Sequence, residues 1–260
     1  MYKILFFHFS LFLTSQAKAI TAEDCYYQGR SFSGSNAIDQ ACYDSYKISS
    51  NELFEKKVRG DSSLFEAHKN ILWITRSQDS QARPLAGEKS LLNDIIAIGL
   101  SSNEKFLAVL DQDSEDRKIL VFGSHLRGHI KPYYVFDFPE LDKATALSFG
   151  PEEDKIYFVS KEQGRNQIYS FEMIKKTHIK GPLFLERLIA PLDLTQSGEY
   201  LFVLDRTKKI HLYTKKLKWV STIEIGEEEL SAPHSVRFSR KENTLYVSNE
   251  QGDTIQYIVD

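Results

Sequence analysis

Residues 233–259, PHSVRFSRKENTLYVSNEQGDTIQYIV, read as three short strands in a row. Val236 and Phe238 alternate with polar neighbours, the two-residue period of a half-buried strand. Arg240 to Asn243 supply a polar turn. Leu245 and Val247 then share one side of a second strand, with Tyr246 on the other. Asn249, Gly252 and Asp253 make the next turn, because glycine reaches positive φ freely and Asn or Asp side chains bond their own backbone. Ile255, Tyr257 and Val259 complete a third strand. Short alternating runs split by such turns describe an antiparallel meander.

The same spacing recurs upstream. Phe238 stands nine residues before Val247, Leu194 nine before Val203, Leu100 nine before Val109 and Phe65 nine before Ile74. Phe149 stands ten before Val159, which implies one inserted residue in that turn. Two residues ahead of each second-strand anchor comes Leu245, Leu201, Leu107, Tyr157 or Leu72. Successive anchors Ile74, Val109, Val159, Val203 and Val247 are 35, 50, 44 and 44 residues apart. A four-stranded propeller blade takes about 40–45 residues, so three intervals fit and the first is short. A lone meander has two faces to bury and open edges, and radial stacking solves both problems. The expected class is therefore all-β, a β-propeller of about five four-stranded blades. Tyr157, Tyr169, Phe171, Phe202, Tyr213, Phe238, Tyr246 and Tyr257 are expected to fill the space between blades.

Residues 233–249, PHSVRFSRKENTLYVSN, match the pattern P-x-G-I-A-x-x-x-x-G-x-x-L-Y-V-A-N, and residues 190–205, APLDLTQSGEYLFVLD, follow it less closely. In these segments the chain resembles the NHL- and YVTN-type secreted β-propeller repeats. Residues 83–101, RPLAGEKSLLNDIIAIGLS, look like the junction between blades in that family. The resemblance covers about 60–260. It implies the architecture and leaves the activity open, because such propellers host unrelated functions.

Residues 1–19 are predicted to be a secretory signal peptide. Lys3 gives the positive start, Ile4 to Leu13 the apolar run and Ala17-Lys18-Ala19 a small-x-small cleavage site. The run is shorter than the ~20 apolar residues of a membrane span. Without Lys3 and Lys18 the 33 basic residues become 31 against 36 acidic, a net charge of −5. That balance argues against nucleic-acid binding, which needs a strongly basic face. A periplasmic or extracellular location is expected, with a mature chain that is soluble and has no transmembrane segment.

Residues 20–58 lack the repeat and hold both cysteines, Cys25 and Cys42, which are expected to pair in an exported protein. Closing such a loop contributes about 3 kcal/mol by restricting the unfolded chain. Metal binding through the two thiols is the alternative. The last copy, closing at Val259, has three strands, so residues near Leu53 to Val58 are expected to supply its fourth and lock the ring. A sixth, degenerate blade built from 20–58 is the other reading. The propeller itself is assigned to 59–260.

The candidates for chemistry are few. His234 is placed where the chain runs into an inner strand, beside the expected central channel. Asp111, Asp205 and Asn249 mark the ends of second strands, with Lys161 breaking the series. Were their loops to share a face, these oxygens could hold calcium or another divalent metal. The plainer reading is that each caps its own turn. The acidic loop DQDSEDR at 111–117 lacks the D-x-D-x-D-G order of a calcium loop, and His125 and His129 sit in a turn-rich segment with no intervening glutamate. No G-x-S-x-G elbow, P-loop or G-x-G-x-x-G follows a strand. The basic run from Arg206 to Lys218 reads either as the solvated side of an outer strand or as a contact for an acidic partner.

These features favour a non-enzymatic, cofactor-free interaction or scaffolding module that binds a protein partner of the cell envelope. Two alternatives stay open: a metal-dependent lactonase- or esterase-type hydrolase using His234 and nearby acids in the channel, and a sugar- or peptide-binding module.

Overall fold

The computed structural model describes residues 57–59, 63–68, 70–76, 79–85, 88–114, 116–123, 131–152, 154–175, 179–226, 228–240, 242–249, 251 and 253–259. The signal-peptide segment, Cys25, Cys42, Leu53 to Lys56, His125 and His129 lie outside them. Among the described residues the regular structure is strand apart from two short 3-10 turns, and the strands form five antiparallel sheets. The first sheet holds β1 (Lys57–Arg59), β2 (Ser63–His68), β3 (Ile71–Arg76) and β4 (Asp79–Leu85). The second holds β5 (Asp94–Leu100), β6 (Phe106–Asp113), β7 (Asp116–Gly123) and β8 (Tyr134–Phe136). Next come β9 (Ala144–Phe149), β10 (Lys155–Glu162) and β11 (Arg165–Glu172). The fourth sheet is β12 (Pro191–Gln196), β13 (Tyr200–Asp205), β14 (Lys209–Thr214) and β15 (Trp219–Glu224). The fifth is β16 (Pro233–Ser239), β17 (Thr244–Asn249) and β18 (Thr254–Ile258).

Strand order within every sheet follows the sequence, as short turns between alternating strands dictate. The sheets stack face to face in chain order. Leu72, Ile74, Leu107 and Val109 share the core between the first and second. Leu110, Val121, Phe158 and Phe171 fill the space between the second and third. Tyr157, Val159, Val203 and Tyr213 join the third to the fourth, and Phe202, Leu204, Phe238 and Val247 the fourth to the fifth. Phe202 stacks on Phe238 with ring centroids 5.5 Å apart. Of the aromatics expected between blades, seven lie in these clusters or pack against them. Tyr246 instead turns its hydroxyl outward to Glu242, 2.6 Å away.

The first strands line the centre: β1 packs against β5, β5 against β9, β9 against β12 and β12 against β16. The third sheet gains an irregular fourth edge where Lys180 exchanges backbone hydrogen bonds with Ser170 and Leu183 N donates to Ile168 O. Gly181 is required there, since a Cβ would sit 2.5 Å from the Tyr169 ring.

The observed pairings correct the repeat register in three places. Phe149 pairs with Ile156 and Leu147 with Phe158, so the third copy needs no inserted residue. Phe158, not Val159, occupies the position of Val109, and Val159 faces the fourth sheet. The nine-residue spacing was ambiguous because Ile156, Tyr157, Phe158 and Val159 are all apolar or aromatic, as a strand buried on both faces requires. In the fourth sheet Gln196 pairs with Leu201, so Gln196 rather than Leu194 matches Leu100 and Phe238. The turn there is two residues shorter.

The third correction concerns the first copy. Phe65 pairs with Val58 on one side and Ile74 on the other, which makes β2 a second strand and β3 a third. Glu66 then takes the position of Val109, 43 residues away, and the short first interval disappears. Lys57 and Val58, part of the segment expected to complete the last sheet, pair with β2 in the first.

Candidate functional site

Second strands end where the loop feeding the first strand of the same sheet passes by, and the side chains there tie the two together. Asp111 is fully buried and accepts hydrogen bonds from Asn93 N at 2.9 Å and Asn93 Nδ2 at 3.4 Å. Asp205, also fully buried, accepts from Ile189 N, Ala190 N and Thr207 N at 2.8, 3.0 and 2.7 Å. Asn249 closes its own turn: its Nδ2 donates to Asp253 Oδ2 at 3.0 Å, and Asp253 N donates to its Oδ1 at 2.9 Å. In the third sheet the backbone does this work, with Lys161 N donating to Lys143 O. His234 is half-buried at the second position of β16. The four sequence candidates are thus spread over three sheets. Among the described residues no three His, Cys, Asp or Glu side chains come close enough together to share a metal ion.

The two carboxylates titrate in opposite directions. Burial pushes Asp111 up to about 6, against the weaker pull of the Asn93 hydrogen bonds. Burial also raises Asp205, but the N–H groups of Thr207, Ala190 and Ile189 together outweigh it and hold the carboxyl below its usual value. Asp111 binds its proton more tightly in the folded than in the unfolded chain. Its ionisation therefore costs stability, up to about 3 kcal/mol, as pH rises from about 4 to above 6. Asp205 contributes stability above the unfolded carboxylate pKa and loses it as pH falls through its own depressed value. Asp111→Asn should accordingly raise the melting temperature at pH 8, and by only about a third as much at pH 4.5. Asp205→Asn should lower it at pH 8 by the equivalent of about 1–2 kcal/mol. Shifts of the same sign for both variants at pH 8 would refute this assignment.

Because their oxygens are occupied by protein donors, these groups should respond little to metals. EDTA followed by calcium, zinc, manganese or copper is expected to leave the melting temperature of the protein within a degree. A ligand at 100 times its Kd stabilises by about 2.7 kcal/mol, so a shift of several degrees with one ion would show a site that these residues do not explain.

At the centre lies a constellation that periodicity did not single out. Asp193 on β12 and Arg237 on β16 are 1% and 7% exposed. Asp193 Oδ2 accepts from Arg237 Nη1 at 2.7 Å, Val236 N at 2.8 Å and Ser235 Oγ at 2.9 Å. Two residues on, Thr195 Oγ1 accepts from Phe238 N at 3.3 Å. Side chains of β12 thereby satisfy the amides along the open edge of β16, which would otherwise be buried without partners. Gln196 reaches the other way, its Nε2 donating to Leu100 O at 3.3 Å. The readable signal was the run of polar residues Asp193, Thr195 and Gln196 on a strand whose surroundings are apolar, since buried polar groups must find partners.

These side chains surround a narrow shaft. A cavity of about 30 Å³ is lined by Leu100, Leu147, Gln196, Arg237, Phe238 and Arg240 among others. It opens at the end where the turns between first and second strands converge. A hollow of about 740 Å³ there is bounded by Ser102, Gly198, Tyr200, Arg240, Asn243 and Val259 among others, and Phe238 and Arg240 belong to both spaces. Gly198, at φ +97°, leaves room for the Arg240 guanidinium: a Cβ would meet its Nη2 at 2.9 Å. Arg240 therefore lies over the fourth sheet's turn, at the mouth of the shaft.

No protein-family model matches the chain, and no curated protein is similar to it in sequence. Solved structures are similar in fold. Hydrazine synthase of Kuenenia stuttgartiensis aligns with a TM-score of 0.53 at 11% identity over 78% of this chain and 70% of that one. The β-propeller domain of Cps50 (Swd1) from Myceliophteria thermophila aligns at 0.52 and 11% over 78% and 68%. A chain of the nidogen/laminin complex aligns at 0.50 and 12% over 76% of each. At these identities the likeness concerns the fold alone, and with the five stacked sheets it establishes an all-β, propeller-type architecture.

Proposed function

We propose that the protein is an exported propeller that works as an interaction or scaffolding module of the cell envelope, presenting one end of its sheets to a protein partner. The observation that carries this reading is the hollow of about 740 Å³, built by turns from four different sheets around a shaft too narrow for a substrate. Such a hollow, lined by Tyr200, Arg240 and Asn243, offers the tyrosine and arginine anchors that protein interfaces favour. The buried carboxylates that a hydrolase would need are instead tied to the loops of their own sheets. Export rests on the signal-like residues 1–19 and the NHL/YVTN-like repeat. Among the described residues no helix is long and apolar enough to cross a membrane.

Affinity purification of the tagged chain after chemical cross-linking in intact cells tests the proposal. The expected result is one envelope protein enriched in a fixed ratio to the bait, alongside no hydrolysis of lactone or ester substrates by the purified chain. Metal-dependent turnover of such a substrate, with no protein enriched, would overturn it.

A further inference from the structure

The polar groups of the shaft are not all used within the fold. Arg237 spends Nη1 on Asp193 and on Val236 O, while its Nε and Nη2, buried, have no hydrogen-bond partner. Gln196 Oε1 is likewise buried and unpartnered. A guanidinium has five N–H donors in a fixed fork, and leaving the three on Nε and Nη2 desolvated is costly unless something fills the adjoining space. That space, about 30 Å³, has room for about one water-sized group. It leads directly into the wider hollow, where Arg240 lies over Gly198.

Of the charges around the two spaces, Asp193 is paired with Arg237 at 2.7 Å and Glu199 with Lys215 at 3.1 Å, which makes the unused N–H donors, not net charge, the attraction for an anion. A cation would meet two guanidinium groups in succession. A carboxylate would find Arg240 at the mouth and a second arginine with unpartnered donors behind it, and its inward oxygen must keep clear of Gln196 Oε1, which is itself an acceptor. Arginine is suited to this task because its planar fork matches the two oxygens of a carboxylate.

We propose that this end of the propeller is a carboxylate-binding site, in which Arg240 receives an acidic group in the hollow and Arg237 meets its inward oxygen at the head of the shaft. The carboxylate is carried by an acidic peptide segment of the partner or by a small organic acid. The inference rests on the partner-binding reading for the peptide source only. Glu104, the acid that shares the shaft lining, opposes the ligand and limits its affinity.

The test uses the full mature chain with two probes, a fluorescein-labelled hexaglutamate peptide followed by anisotropy and unlabelled succinate as competitor. Binding of the peptide is expected, weakened at least tenfold by Arg240→Ala, tightened by Glu104→Gln and unchanged by Lys209→Ala on the remote β14–β15 pair, whose Nζ contacts Glu224. Affinity should fall as salt rises. Arg237→Lys keeps a charge opposite Asp193 but loses the fork, and it should weaken the probe at an unchanged melting temperature. Competition by succinate would assign the site to a free acid, and its failure to compete would assign it to a peptide. Absence of binding by both probes, or equal binding by wild type and Arg240→Ala, would overturn the proposal. A wild-type chain that enriches an envelope partner yet ignores both probes refutes this inference alone. One that binds the probes but enriches no partner refutes the partner-binding reading alone.

Discussion

Asp193→Ala should destabilise the protein by about 3–5 kcal/mol, because it leaves a buried guanidinium without its counter-charge. The carboxylate is 1% exposed and takes Leu194 N on its own strand and, from β16, Arg237 Nη1, Val236 N and Ser235 Oγ. Its loss strands the three from β16 where solvent does not reach. Removing the pair as a unit is a different matter. Asp193→Leu with Arg237→Met replaces two charges by apolar groups of similar reach, and a buried ion pair exchanged in this way is often neutral or better. The double variant is therefore expected to recover most of the stability lost by Asp193→Ala, leaving the Val236 amide as the residual cost. Urea midpoints at pH 7 measure both. A loss below 1 kcal/mol for Asp193→Ala would mean that the pair is hydrated and the centre of the arc is open.

Phe158→Ala should be of the same size, about 3–5 kcal/mol, for an unrelated reason. The ring is fully buried between the second and third sheets, stacked on Tyr169 at 5.4 Å and tilted to Phe171 at 6.4 Å. Its neighbours belong to rigid strands on both sides, so the cavity left behind cannot collapse and the missing contacts add to the lost transfer energy. Phe158→Leu keeps most of the volume and should cost about 1–1.5 kcal/mol. The comparison also tests the corrected register. Val159→Ala, one residue on and facing the fourth sheet, removes a smaller side chain and should cost less than half as much. Thermal melts of the three variants decide the ranking.

Much of this architecture was legible because it rests on two simple rules. Alternation with period two marks the strands, and Asn-, Asp- and Gly-bearing turns separate them, so 233–259 forms the three strands its pattern describes. The register was harder wherever both faces of a strand are buried. In Lys155–Glu162 four consecutive apolar or aromatic residues hide the period, and the sheet is set by the pairing of Phe149 with Ile156. The first sheet was misread by one strand because its first strand, Lys57–Arg59, has only Val58 as an apolar residue. With that signal so weak, Phe65 took the place of an anchor.

Of the site candidates, Asp205 and Asn249 cap the turns that follow them, through Thr207 N and Asp253 N, as the plainer reading expects, whereas the bonds to Asp111 come from Asn93. Asp111 and Asp205 both bind the loop that leads into their own sheet, 15 to 18 residues earlier. Sequence separation conceals such a contact, since nothing local links Asp205 to Ile189. Arg237 was hidden more thoroughly. In an alternating pattern it reads as the solvent side of a half-buried strand, yet a first strand of a stacked sheet has no solvent side. Its partner, Asp193, is 44 residues away.

The interaction reading is tested most directly by placing a photo-crosslinking phenylalanine analogue at Tyr200, which lines the hollow, and irradiating intact cells that express the tagged protein. A discrete adduct with one envelope protein is expected, and it should disappear when Arg240→Glu is added in the same chain. An adduct absent at position 200 but formed from the analogue at Phe184, 93% exposed on the segment between β11 and β12, would contradict the assignment of the binding surface to this end of the propeller.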